Sequence, residues 1–351
     1  MIVSNTYGSL AAKCRPDTLD KILGQPITIK ILSEQLKRRL FKNVYLFTGQ
    51  TGIGKTTVAR CFANAINNNI GYPIEIDAAS NNSVEDARAL VAAAHERALV
   101  GEYKIYIIDE CHMLSTAAWN VLLKCLEECP KYTIFMLCTT EKYKVPKTIQ
   151  NRAQCFNLVP IAPEIIKKRL EEVCNLQGFL NYNETCDFIS KIVDGSLRTA
   201  LNYLEQCADY SIDLSLTNAK QVLNHLSYEV LFKLTWAIFE QNEPEIINTI
   251  DTLFNTGYDL KTFIDWYLNF ILDLLKYTLF NQNIKVTSIP EYLATENNAV
   301  VQYTVNQPAS VAKFNFILDQ LLDLKQLIKY DLNYKNTILI KFLQIARELN
   351  G

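Results

Sequence analysis

The chain has 351 residues, 49% of them apolar and 21% charged, with a net charge of −2. That length holds two or three domains, and that charge excludes a strongly basic nucleic-acid-coating protein while leaving room for a local basic face. The first residues, MIVSNTYGSLAAK, lack the apolar core of a signal peptide, and no apolar run approaches the roughly 18 residues of a membrane span; a cytoplasmic protein away from membranes is expected.

In chain order, NVYLFT (43–48) is a short apolar run, and TTVARCFANAIN follows it with helical spacing. YPIEID (72–77) reads as a strand, and SVEDARALVAAAHERAL as a helix opened by a serine cap with a glutamate nearby. KIYIID (104–109) reads as a buried strand, STAAWNVLLKCLEE as a helix ending before Pro130, YTIFMLCTT as another buried strand and AQCFNL as a short one. Strands and helices alternating this way predict an α/β fold with a parallel sheet covered on both faces.

Pro160 and Pro163 mark a boundary, and beyond them only helical spacing appears. The expected domains are an α/β unit over 1–160, a small helical unit over 161–224 and a second all-helical unit over 225–351. In the last, Phe314, Ile317, Leu318, Leu321, Leu324 and Ile328 share one stripe, which serves either as intramolecular core or as a subunit interface. The polar stretch 281–310, with two prolines, is expected to be a surface loop. The ten cysteines stand singly, with no Cys-x-x-Cys pair and none after Cys207, and the three histidines show no zinc-ligand spacing. Buried free thiols in a reducing compartment fit that distribution.

Gly49, Gln50, Thr51, Gly52, Ile53, Gly54, Lys55 and Thr56 satisfy the phosphate-loop pattern GxxxxGK[ST], with Thr57 continuing into the helix. Such a loop turns backbone N–H groups onto phosphates, its lysine reaches the β and γ phosphates, and its Thr56 hydroxyl is offered to Mg²⁺. Further on, IYIIDECHML ends a buried strand in two carboxylates. Asp109 is placed to hold Mg²⁺ and Glu110 to polarise an attacking water. Thr139 and Thr140 end the adjacent predicted strand, where a hydroxyl can sense the γ-phosphate. Arg152 lies past the end of its own sheet. It is read either as a surface charge or as a residue that enters a neighbouring molecule's site to neutralise transition-state charge. Arg198 opens a helix of the second unit, where it could report on the γ-phosphate and couple nucleotide state to domain angle. The DECH tetrad is also the mark of one helicase class, but the chain has neither a SAT tripeptide, nor a GRxGR stretch, nor a second α/β half.

Together these residues resemble one family, the gamma/tau subunits of bacterial DNA polymerase III, the motor subunits of the sliding-clamp loader within the AAA+ ATPases. The resemblance is carried by LAAKCRPDTLDKILGQ, the phosphate loop, EIDAASNNSVEDAR, YKIYIIDECHMLSTAAWNVLLKCLEE, CTTEKYKVPKTIQNR and GSLRTALNYLEQ, in order over residues 7 to about 210. It implies an AAA+ domain, a helical lid and a helical collar. Lys55 and Thr56 become the phosphate and Mg²⁺ contacts, Asp109 and Glu110 the acidic pair, Thr140 the first sensor and Arg198 the second. Arg152 becomes the finger that reaches the neighbouring subunit. Arg15 and Gly24 would border the adenine, and Arg88, Asn81 and Asn82 would track a DNA backbone. The implied cofactors are ATP and Mg²⁺. The implied partners are other clamp-loader subunits in a ring or spiral, the sliding clamp and primer–template DNA.

Three departures bear on these expectations. The family's four zinc-binding cysteines are replaced by a short asparagine-rich turn within CFANAINNNIGYPIEIDAAS, so no zinc is expected. Asn151-Arg152-Ala153 stands where Ser-Arg-Cys is usual, and Thr199 stands where aspartate is common. The chain stops after the third expected domain, so the long tau extension is not expected. Two rival readings remain at this stage: another AAA+ DNA motor, such as a branch-migration helicase or replication initiator, and a structural scaffold subunit.

Overall fold

Each of the five strand-like stretches forms a strand, and all five pair in parallel. In this computed structural model, which describes residues 8–223, 228–280, 287, 289, 300, 310–331 and 333–349, β1 (Val44–Thr48), β2 (Ile74–Asp77), β3 (Lys104–Asp109), β4 (Thr133–Thr139) and β5 (Gln154–Asn157) lie in the order β2-β3-β4-β1-β5. Successive side chains leave a strand on opposite faces, and here both faces are apolar. Tyr45, Phe47, Ile105, Ile107, Ile134 and Met136 enter one core, and Val44, Leu46, Tyr106, Ile108, Phe135 and Leu137 enter the other. The first core is closed by α2 (Pro26–Arg38) and α3 (Lys55–Ile66) through Leu32, Val58 and Phe62. The second is closed by α4 (Val84–Ala94) and α5 (Thr116–Glu127) through Ala87, Trp119 and Leu122. A sheet buried on both faces explains why β1, β3 and β4 read as unbroken apolar runs. β2, at the edge, is largely exposed.

The register aligns the carboxyl ends of the strands: Thr48 lies beside Thr139 and Asn157, and Asp77 beside Asp109. Polar residues that each end a different strand therefore collect along one rim, where open α/β sheets bind ligands.

The expected helix over SVEDARALVAAAHERAL stops at Ala94, five residues early. Its terminal carbonyls are captured by side chains from elsewhere in the unit: Lys104 donates to Ala93 O at 2.6 Å, Thr133 to Ala94 O at 2.8 Å and Tyr132 to His95 O at 2.6 Å. The orphan acceptors of the helix end are thus satisfied from outside, a solution that local spacing does not announce.

After α6 (Lys147–Arg152) and β5, the chain becomes helical as predicted. α7 (Pro163–Gln177), α8 (Asn183–Ile192), α9 (Leu197–Tyr210) and α10 (Leu216–Val222) form a third core around Ile166, Leu170, Ile189, Leu201 and Leu204. The short N-terminal α1 (Leu10–Lys13) belongs to this cluster. Leu10 is buried in it, and its N–H donates to Glu205 Oε1 at 2.7 Å. Sheet and lid-like helices form one compact unit, Met1–Leu223, and the rest of the chain forms a second, Asn224–Gly351.

The second unit, in its described residues, is helical: α11 (Tyr228–Phe239), α12 (Glu243–Asn255), α13 (Leu260–Leu279), α14 (Ser310–Leu327) and α15 (Tyr334–Glu348). α13 packs along α14, and α11 and α12 pack on α15. Phe342 stands 5.4 Å, ring to ring, from Tyr267 and 6.1 Å from Phe263 at the centre of the core. The stripe on α14 is resolved in favour of intramolecular packing: Phe314, Ile317, Leu321, Leu324 and Ile328 are buried here, and Leu318 packs against them. The loop expected over 281–310 lies outside the described residues except at Thr287, Ile289, Val300 and Ser310. Ile289 and Val300 are buried in this same core.

Candidate functional site

β1 ends at Thr48, and the phosphate-loop residues carry the chain into α3. Gly54 takes the left-handed cap position, and Lys55 is the first helical residue. The free N–H groups of α3 therefore open toward the cleft lined by Thr51, Lys55, Thr56, Asp109, Glu110 and Arg198. Two glycines have a steric reason. A Cβ on Gly49 would stand 2.6 Å from Leu158 O, and one on Gly52, at φ +79°, would stand 2.0 Å from Ser196 Oγ. The loop is thus pressed between β5's exit and the N-terminus of α9, and Arg198 N–H donates to Gly52 O at 3.4 Å.

Lys55 is buried, and its Nζ donates to the carbonyls of Gly49 (3.0 Å) and Gln50 (2.9 Å). Burial lowers its pKa from the ordinary lysine value, and the nearby charges of Glu110 and Asp109 oppose that shift. Thr56 Oγ1 donates to Asp109 Oδ2 at 2.8 Å, so the hydroxyl and the carboxylate expected to share a cation are already in contact. Asp109 Oδ1 accepts the Glu110 N–H at 3.0 Å. Glu110 sits at φ 45°, ψ 44°. For a residue with a Cβ this left-handed conformation costs about 1–3 kcal/mol and is retained where surrounding structure imposes it. Thr140 Oγ1 donates to Glu110 Oε2 at 3.3 Å, which β4's position beside β3 makes possible.

At the apolar end of the cleft lie Ala12, Cys14, Ile22, Leu23, Ile161 and Leu201. Gly24 is not among the lining residues. A Cβ there would meet Ile161 at 2.9 Å, so its role is to let the loop close on a residue that does line the cleft. Arg15 lines the cleft too. Burial and the charges of Arg60 and Arg198 lower its pKa, and Glu75 and Asp109 oppose them. In the chain Arg15 lies next to Cys14, which lines the apolar end of the same cleft.

The remaining predicted residues lie away from the cleft lining. Arg152 ends α6, is exposed and pairs with Glu127 at 2.5 Å. Arg88 is exposed on α4. Asn81 is exposed and donates to Asp77 O at 3.0 Å, while Asn82 O accepts the Ser115 N–H at 3.2 Å, tying that turn to the start of α5. Among the described residues no cluster of three or more His, Cys, Asp or Glu side chains could hold a metal ion. In the asparagine-rich turn, Asn67 instead bonds the loop before β3: its Oδ1 accepts from Tyr103 N–H at 2.9 Å and its Nδ2 donates to Tyr103 O at 2.8 Å.

One residue escaped the sequence reading. His112 sits three residues after Asp109 and reaches both Glu110 and Glu141. Its only signal was the last letter of DECH.

A family model described as "DNA polymerase III, delta subunit" matches residues 68–162. The DNA polymerase III subunit tau of Bacillus subtilis is 32% identical over 78% of this chain and 52% of its own length. The DNA polymerase III subunit gamma of Buchnera aphidicola from Acyrthosiphon pisum is 30% identical over 76% of this chain and 80% of its own. The chain thus spans about half the length of the Bacillus relative. Among solved structures, the Thermotoga maritima RuvB Holliday junction branch migration motor superposes with a TM-score of 0.52 at 19% identity, over 64% of this chain and 79% of that one. That likeness is one of fold alone.

Proposed function

The chain belongs to the gamma/tau family of DNA polymerase III subunits, and on that premise we propose that it is an ATP-hydrolysing subunit of a DNA clamp loader. The observation that carries the reading is the contact between lid and loop: the helix bearing Arg198 is bonded through its first turn to Gly52. A nucleotide's terminal phosphate in this cleft would be felt by the sheet and by the helical lid together.

In this reading the N–H groups of the loop and Lys55 take the β and γ phosphates of ATP. Thr56 and Asp109 would hold Mg²⁺, which neutralises phosphate charge when bound. Glu110 orients a water against the γ-phosphorus and takes its proton as the bond to the β–γ bridging oxygen breaks. Thr140 holds Glu110, and Arg198 carries the change to the lid. Arg152, exposed and absent from the lining of its own cleft, serves a neighbouring subunit, so the isolated chain is a weak ATPase. The proposed domain division is ATPase over 1–160, lid over 161–224 and collar over 225–351. Arg88, Asn81 and Asn82 offer phosphate-backbone contacts, which give sequence-blind, salt-dependent DNA affinity. ATP binding assembles the subunits on an opened clamp, primer–template DNA aligns the sites, and hydrolysis releases the closed clamp.

The test is steady-state ATP hydrolysis by the chain with its partner subunits, with and without clamp and primed DNA. Strong stimulation that needs both is the expected result. Stimulation by any DNA, indifferent to the clamp, would instead assign the chain to the translocating motors.

A further inference from the structure

His112 lies in the 3-10 turn Cys111–Met113 that directly follows Glu110. Its side chain is only 9% exposed, and both ring nitrogens are engaged. Nδ1 stands 3.3 Å from Glu110 Oε2 and 3.1 Å from Thr139 Oγ1, and Nε2 stands 3.1 Å from Glu141 Oε1. The Glu110 oxygen it meets is the one that accepts the Thr140 hydroxyl. Glu141 is fixed in turn: Lys144 donates to it at 2.9 Å, the Tyr143 hydroxyl bonds its other oxygen, and its own N–H donates to Thr139 Oγ1 at 3.0 Å.

The hydrogen bond of the ring joins Nδ1 to Thr139 Oγ1, and the two carboxylate oxygens stand within ion-pair distance of Nδ1 and Nε2. A bland role, filling space beside β4, does not explain why one nitrogen meets the site's own carboxylate and the other a carboxylate on the loop after β4. Nor does it explain how Glu110, on a left-handed residue at a strand end, keeps one orientation. The ring and Thr140 both meet the same oxygen of that carboxylate.

We propose that His112 is a positioning residue: its Nδ1 aims the Glu110 carboxylate, and its Nε2 anchors on Glu141. The orientation of Glu110 is then set by the segment Thr139–Lys144, which leads directly into α6 and Arg152. A displacement of that segment, which also carries the arginine offered to a neighbouring subunit, reaches Glu110 through one ring. The inference rests on reading Glu110 as the residue that activates water.

The test compares His112→Asn, whose amide nitrogen overlays Nδ1, with His112→Gln, whose amide nitrogen overlays Nε2, and with His112→Ala. Each is made in the 351-residue chain and in a Glu110→Gln background, and hydrolysis is read in the complex with the partner subunits. Single-turnover ATP hydrolysis gives the rate, and a fluorescent ATP analogue gives the dissociation constant and reports that the cleft is folded. Loss of an outer-layer partner of this kind costs roughly 10–100-fold in activity. His112→Ala and His112→Gln should slow hydrolysis by that factor with nucleotide affinity within about twofold, since ground-state binding is untouched. His112→Asn should recover most of the rate, and none of the three should add to the loss in Glu110→Gln. The proposal is overturned if His112→Ala hydrolyses at the wild-type rate, if glutamine rescues and asparagine does not, or if the defect persists in the Glu110→Gln background. A Glu110→Gln variant that still hydrolyses ATP normally would instead overturn the reading of the site beneath it.

Discussion

The two units of the chain bury their residues for different ends. In Asn224–Gly351 the described core is almost wholly aliphatic and aromatic. One of its few buried polar groups, Thr235, is satisfied inside its own unit by Leu231 O and the Tyr267 hydroxyl. In Met1–Leu223 two similar cores flank a sheet, but the sheet's carboxyl rim gathers charge and left-handed backbone: Lys55 buried at the loop, Glu110 at φ 45°, Gly52 against the lid. One unit holds its shape by filling space. The other uses that shape to hold polar groups where packing alone would not put them. Damage should therefore separate, with changes to exposed polar side chains of the first unit altering chemistry at constant stability and changes in the second core altering stability at constant chemistry.

The largest expected effect is Arg152→Ala. If the residue serves a neighbouring subunit, hydrolysis by the assembled complex should fall by about 10³-fold or more. The variant's melting point and nucleotide affinity should stay as they were, because Arg152 is exposed and its side chain pairs, among the described residues, with Glu127. Unchanged hydrolysis in the complex would leave it a surface charge. Next is Phe342→Ala, which empties the centre of the second core. Truncating a buried aromatic costs about 3–5 kcal/mol. One of two calorimetric transitions should shift down while binding of an ATP analogue persists; a joint loss of both would break the comparison.

Gly52→Ala probes the seam between loop and lid. A left-handed alanine costs roughly 1–2 kcal/mol, and its Cβ would strike Ser196 Oγ. Nucleotide affinity should drop about tenfold, the equivalent of 1.4 kcal/mol. Adding Ser196→Ala, which leaves only the Cβ contact at 3.2 Å, should recover part of it. The smallest effect is at α4, where Ser83 and Asp86 form a capping box. Ser83→Ala should cost about 1 kcal/mol. The Asp86 carboxyl is held below its ordinary value of 3.8 by the Ser83 hydroxyl and N–H. With the folded-state value depressed, the box stabilises fully above that ordinary value and loses its contribution as pH falls through the folded-state one. The Ser83→Ala difference should therefore shrink in acid unfolding experiments.

The parts of this protein legible in its sequence are those whose cause is local. The loop pattern was legible because its glycines and lysine fall at fixed spacing within one short stretch of chain. β1, β3 and β4 were legible because burial on both faces leaves no polar residue to interrupt them, and the acidic pair because it ends such a run. Pro163, legible as a boundary, opens α7, and Gly178 takes the left-handed position that closes it. What the tertiary structure alone decided lies where distant segments meet. α4 ends at Ala94 because side chains from 104, 132 and 133 take its carbonyls. Arg15 joins Arg198 and Asp109 because α1 packs on the lid. The stripe on α14 became core because α13 covers it. His112 became part of the rim because Thr139 and Glu141, 27 and 29 residues away, are carried beside it by the pairing of β3 with β4. Periodicity and short motifs record what a residue does with its chain neighbours; hydrogen bonds across a sheet are set by register, which the whole hydrophobic pattern fixes at once.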